Sequence, residues 1–328
     1  MLRTTQWGLS LIACLLLTGC NDYLAPTDSL EVAAKGIHAG AFSSQADYAI
    51  VGSIHHGGSL WQIDSKERLY NWNHKADEAT TIISADFSPD GKLAITADPY
   101  TLVMWETTSG EATRYWTAPG EILDAKLGPN GRLALLGLSD HSAVLFDIQK
   151  GGIKRTLPHG NRVRSVDISE NGRWALTGSE DYHARFWDLS NGKQLFDIKH
   201  DDDVQLVTLS NDGSRALSVS KYDAALVWDT KTGEVLGKIP LRAEKLKRGL
   251  QFTSAAFSAN NEYLLTGRPD QIVQLWRVET LTLVNQWEVP KRDAWKPTGA
   301  SIVAVGFGQQ EWTYLAMSSN GFIHHLKL

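Results

Sequence analysis

Val163 to Lys193 reads VRSVDISENGRWALTGSEDYHARFWDLSNGK. Three runs in it, VRSVDIS, RWALTGS and ARFWDLS, place an apolar residue at every second position, and a fourth, QLFDIK, follows Gly192-Lys193. That alternation is the pattern of a half-buried β-strand. Asn171-Gly172 and Asn191-Gly192 supply residues that tolerate positive φ, so tight turns are predicted at both dipeptides. A sheet of four such strands is too small to bury both of its faces alone. It requires copies of itself.

The chain contains those copies. WQID at Trp61, WETT at Trp105, FDIQ at Phe146, WDLS at Trp187, WDTK at Trp228 and WRVE at Trp276 recur at intervals of 41 to 48 residues. A second landmark recurs with them: FSPDG from Phe87, LGPNG from Leu127, ISENG from Ile168, LSNDG from Leu209, FSANN from Phe257 and FGQQE from Phe307. A period in the low forties marks a β-propeller blade. With His159, Thr177, Asp181 and Trp187, the repeats resemble the WD-repeat family. The resemblance implies an all-β, seven-bladed propeller in which these four residues form a structural tetrad inside blade 4. Buried polar groups require partners, so their expected role is bracing rather than catalysis.

The other repeats match this pattern less fully. His200 keeps its place before blade 5, where Tyr222 stands at the Asp position and Asp223 follows it. Blade 3 keeps Asp140 and replaces Trp by Phe146, and blade 6 keeps Asp270 and Trp276 without the His. Blades 1, 2 and 7 place His55, Pro99 and Asn320 at the Asp position. The blades are predicted at 38–75, 81–118, 122–158, 163–199, 204–240, 252–289 and 301–328. The last repeat holds only three strands. By the family's architecture its missing outer strand comes from Leu30 to Lys35, giving a single domain over 29–328. Closure of the ring removes exposed strand edges.

The N-terminus has a different character. Arg3 precedes the apolar run LSLIACLLL, and Leu17-Thr18-Gly19-Cys20 looks like a bacterial lipobox. The reading is a signal peptide over 1–19, lipid modification of Cys20 and a short linker over 20–28. The alternative is a conventional signal with a chance cysteine. Residues Asn21 to Asp28 span at most about 27 Å when extended. Cys14 falls in the signal, so Cys20 is the sole mature cysteine and no internal disulfide is expected. The expected location is the bacterial envelope, periplasm-facing and lipid-anchored, with Asn21-Asp22 leaning towards the outer membrane. A net charge of −5 argues against a generally basic nucleic-acid binder.

Recognition in propellers usually falls to loops, because the strands are occupied by packing. Two inter-blade connections are long, LRAEKLKRGLQ at 241–251 and PKRDAWKPTGA at 290–300. They place Arg242, Lys245, Lys247, Arg248, Lys291, Arg292 and Lys296 with Trp295 on one face, a candidate site for an acidic partner. A solvated loop with Trp295 folded onto blade 7 is the alternative. Asp201-Asp202-Asp203 is an acidic counterpart on that face. The pairs His55-His56 and His324-His325 lack a third ligand at recognisable spacing, so no metal site is assigned. No G-x-S-x-G, H-E-x-x-H, phosphate-loop or C-x-x-C motif is present, and no cofactor is implied. The expected function is a non-catalytic scaffold for envelope proteins. The alternative is a propeller enzyme, or a small-ligand or glycan binder, that uses the central channel.

Overall fold

The computed structural model describes residues 23–222, 224–241, 251–292 and 299–328. Cys20, Arg242, Lys245, Lys247, Arg248, Trp295 and Lys296 lie outside the described residues, as do the predicted signal peptide over 1–19 and Asp223. Among the described residues the chain forms seven four-stranded antiparallel sheets. Six are meanders of consecutive strands, innermost first, with the second and third strands buried. Each sheet is a blade, and inner strands of successive blades contact one another around the ring, the last against the first. The seven-bladed propeller expected from the repeats is the fold observed.

Blades 3, 4 and 5 span 122–158, 163–199 and 204–240, as the sequence predicts. The closing strand is shifted: it is Asp28–Glu31, not Leu30 to Lys35, and it pairs with Phe322–Lys327. The amides of Val32 and Ala33 then both donate to Gly321 O, turning the chain inwards. Ion pairs hold the strand at both ends. Lys66 of blade 1 meets Asp28 at 2.5 Å, and Arg292 meets Glu31 at 2.6 Å.

The turn geometry also differs from the expectation at the Asn-Gly pairs. Gly172 and Gly192 have φ of 68° and 76°, whereas Asn171 and Asn191 are not left-handed. Asn171 instead uses its side chain, accepting from the Arg173 amide at 2.9 Å and from Ser169 Oγ at 2.8 Å. Ser169 Oγ in turn accepts from the Trp174 amide. The same serine-to-Asp/Asn link recurs at Ser88–Asp90, Ser210–Asp212 and Ser258–Asn260. That link explains the second sequence landmark. It is a side-chain-capped turn that starts the second strand of a blade.

Packing between blades requires small residues at chosen places. A Cβ on Gly137 would fall 2.7 Å from the Val163 carbonyl oxygen of the next blade, so this second-strand position admits only glycine. Outer-strand tryptophans bridge the opposite way. Trp72, Trp116 and Trp287 donate their indole N–H to Gly110 O, Ile148 O and Lys327 O, each on the following blade. Trp72 and Trp287 are fully buried, which settles their role as inter-blade packing. Trp287→Ala should therefore cost about 3–5 kcal/mol of unfolding free energy in denaturant titration, a cavity cost plus a lost hydrogen bond.

Candidate interaction face and central channel

In blade 4 the sequence-predicted residues meet. His159 Nε2 lies 2.7 Å from Thr177 Oγ1, Trp187 Nε1 donates to the same oxygen at 2.8 Å, and His159 Nδ1 is 3.4 Å from Asp181 Oδ2. Asp181 also accepts from the Gly160 amide at 2.7 Å, which fixes the loop into the blade. A fifth member, Arg185, was not foreseen: its Nη1 donates to Asp181 Oδ2 at 2.7 Å and meets His159 Nδ1. Arginine only donates, so Nδ1 accepts there and the ring proton sits on Nε2. Burial holds His159 below its ordinary value, consistent with a neutral ring. Burial pushes Asp181 up, but the Gly160 amide and the Arg185 guanidinium outweigh it and keep the carboxylate well below its usual range.

Blade 2 carries a full network that the repeat alignment misplaced. His74 Nε2 reaches Thr96 Oγ1 at 2.9 Å, and Trp105 Nε1 donates to that oxygen at 2.8 Å. The acid is Asp98, beside the expected Pro99, at 3.3 Å from His74 Nδ1 with Thr101 also linking them. The longer loop between His74 and the inner strand Ser84–Phe87 hid this histidine from a fixed spacing. Blade 5 keeps His200–Ser218–Trp228 at 2.8 and 3.3 Å. In blade 7 the buried His324 bonds Ser318 at 2.8 Å and Ser29 of the closing strand at 2.7 Å. Its role is closure of the ring.

The inner strands line a central channel of about 630 Å³. Three carboxylates in it have a common use. Asp86 accepts the Leu127 amide at 2.8 Å, Asp124 the Val166 amide at 2.9 Å and Asp167 the Leu209 amide at 2.7 Å. Each bond joins one blade to the next. Lys126 Nζ stands 3.5 Å from Asp86, and that carboxylate first, then Asp167 and Asp124, raises its pKa. Burial, only partly offset by Lys126, pushes Asp86 up to about 6. Burial likewise raises Asp167. The signal was present in the sequence, since Asp86 and Asp167 each stand two residues before the landmark serine. Alternation alone reads them as an ordinary solvated face.

The family model described as WD domain, G-beta repeat matches residues 151–188. The matched stretch holds the outer strand of blade 3, Ile153–Pro158, and three strands of blade 4, including all four tetrad residues. The chain is a WD-repeat β-propeller. No curated protein matches it significantly.

In this WD-repeat propeller the candidate partner-binding residues divide. Lys291 is exposed. Arg292 was expected among the free cations, but it is engaged with Glu31, donates to Asn320 O at 3.3 Å and lies over the Phe322 ring at 5.2 Å. It acts as a latch on the closing strand. Of the acidic triplet, Asp203 is raised by burial and by repulsion from Asp202 and Glu180. His55 and His56 are exposed in a turn, and among the described residues no group of three or more His, Cys, Asp or Glu is placed to hold a metal ion.

The buried titratable groups make opposing contributions to stability as pH changes. His324 is lowered by burial and by the neighbouring His325 to about 4, so stability from its neutral form is full above pH 6.5 and lost as pH falls towards 4. At full extent this is on the order of 3 kcal/mol. Asp86 is raised, so its contribution has the opposite sign, strengthening as pH falls through about 6 towards 3.8. Thermal unfolding between pH 6.5 and 4 should show a shallower loss of stability in His324→Gln than in the wild type. In Asp86→Asn, which still accepts the Leu127 amide, the loss should be steeper.

Proposed function

We propose that this propeller is a non-catalytic interaction scaffold, anchored by a lipid on Cys20 at the bacterial envelope and facing the periplasm, with the outer membrane the favoured leaflet. WD40 propellers generally mediate protein interactions, and the fold is consistent with that role. The observation that carries the reading is the use of polar chemistry inside the ring. The His–Thr–Asp–Trp networks brace blades, and Asp86, Asp124 and Asp167 tie blades 2, 3 and 4 each to the one that follows. Recognition then falls to the inter-blade loops, whose sequences carry Arg242, Lys245, Lys247, Arg248, Lys291 and Lys296 together with Trp295. A tryptophan among cations suits an acidic protein surface. The channel supports the second reading, a small polar ligand held near Lys126, Asp86 and Asp167.

Cross-linked membranes and affinity capture of the full chain separate the two. The wild type is expected to retain a protein partner that is reduced at least about tenfold when Lys245, Arg248, Lys291 and Lys296 are changed to Glu, a loss of the size expected for hot-spot residues. Capture unchanged by the charge reversal would reject the loop surface. In parallel, Cys20→Ser should move the protein from the membrane to the soluble fraction.

A further inference from the structure

The described chain begins at Tyr23, three residues after Cys20, and it begins paired. Leu24 N donates to Gln286 O and Glu288 N donates to Leu24 O, both at 3.0 Å, in a parallel bridge opposite Trp287. The stretch from Asn21 to Asp28 is therefore not the free 27 Å leash that its length permits. Backbone dimensions limit Cys20 to about 11 Å from Tyr23. Whatever holds Cys20 must come equally close to the outer rim where blades 6 and 7 meet.

The surface at that place is apolar and aromatic. Contacts run continuously from Leu24 through Trp287 to Lys327 O, then from the Leu328 amide to Trp312 O at 3.0 Å, and from Trp312 to the Tyr263 ring at 5.5 Å. Tyr23, Leu24, Trp312 and Leu328 along this path are exposed at 39%, 43%, 38% and 47%. Trp312 is unusual in a second way. It holds φ of 60° in the turn between the inner and second strands of blade 7, where blades 2 to 6 put the left-handed conformation on Gly91, Gly131, Gly172, Gly213 and Asn261. A bulky side chain in that region is strained, and such strain persists where it serves a use. The turn and Leu328 both lie at the end of the blade opposite the inter-blade loops.

We propose that this patch is the membrane-contacting surface of the protein. Tyr23, Leu24, Trp312 and Leu328 sit at the headgroup–acyl boundary, and the inter-blade loops face away from the bilayer. The inference rests on lipidation of Cys20. A lipid surface is the occupant because the chain confines Tyr23, at one edge of the patch, to within about 11 Å of the acylated residue, leaving little room there for a protein between them. Aromatic side chains favour this interface. Arg277, over the Tyr263 ring at 5.2 Å, and the exposed Lys327 supply cations towards phosphate headgroups, beside the exposed acids Glu288 and Glu311.

The test uses the full lipidated chain in vesicles of phosphatidylethanolamine and phosphatidylglycerol. Nitroxide labels are placed by Trp312→Cys, by Leu328→Cys and, as a reference, by Tyr100→Cys. Tyr100 is 58% exposed in a blade 2 turn at the inter-blade-loop end. Collision with oxygen, which concentrates in lipid, is compared with collision with a water-soluble nickel chelate. The oxygen-to-nickel ratio at 312 and 328 should exceed that at 100 at least about threefold, as interfacial burial requires. Equal ratios at all three positions would overturn the orientation, and the label at 328 serves if Trp312→Cys fails to fold. The mass of the mature N-terminal peptide is measured separately. An unacylated Cys20 would overturn both readings, whereas an acylated Cys20 with equally wet labels would overturn the membrane patch alone.

Discussion

The ring depends on a strand joined to its partner across almost the whole chain. Thr27 donates twice to His325 O, 298 residues away, and Asp28–Glu31 then completes a sheet begun at Ile302. Before this pairing forms, blade 7 has three strands and an open edge, and the apolar faces of blades 7 and 1 lack part of their cover. The entropic cost of closing so large a loop grows only logarithmically with its length. It is met by several distinct contacts, from the ladder itself to Lys66–Asp28, Arg292–Glu31 and Ser29–His324. Closure also fixes Leu24 to the rim, so the contacts that complete the fold limit where a proposed anchor on Cys20 would lie.

Polar groups inside the ring work at two levels. Within a blade, a buried hydroxyl such as Thr177 collects donors from His159 and Trp187 and fixes the loop above it through Asp181. Between blades, the channel carboxylates accept amides that the inner strands, lying at the centre, do not pair with one another. Both arrangements place charge where burial disfavours it. That is why Asp86 and Asp167 are raised while the histidines are lowered. A polar channel of this kind is compatible with a ligand, yet its carboxylates already have architectural partners.

Legibility in the sequence followed spacing. Where loop lengths were regular, as around His159 and Trp187, the network was found by counting. Where the loop lengthens after His74, the same chemistry is present without the regular spacing, and a fixed count lands on Pro99 rather than on its neighbour Asp98. The indole bonds of Trp72, Trp116 and Trp287 leave no sequence signal, because each goes to a backbone carbonyl on the following blade. Asn171 and Asn191 read as left-handed turn residues, and their side chains took the turn instead.

Repetition with period-two alternation marked the propeller blades, since a four-stranded unit with two apolar faces is stable only among copies, and the WD-repeat resemblance implied that the strand missing from the last repeat closes the ring. The lipobox-like run Leu17-Thr18-Gly19-Cys20 is likewise a local pattern. Tertiary structure alone decided which polar residues are committed and which surface is left. Arg292 looked like one more cation in a basic loop until closure brought Glu31 and Phe322 beneath it. Trp312 and Leu328 acquired a common surface with Tyr23 and Leu24 only when the two ends of the chain met. Alternation and spacing report contacts along a strand and between neighbours in a blade, whereas contacts across roughly 300 residues leave no local periodicity to read.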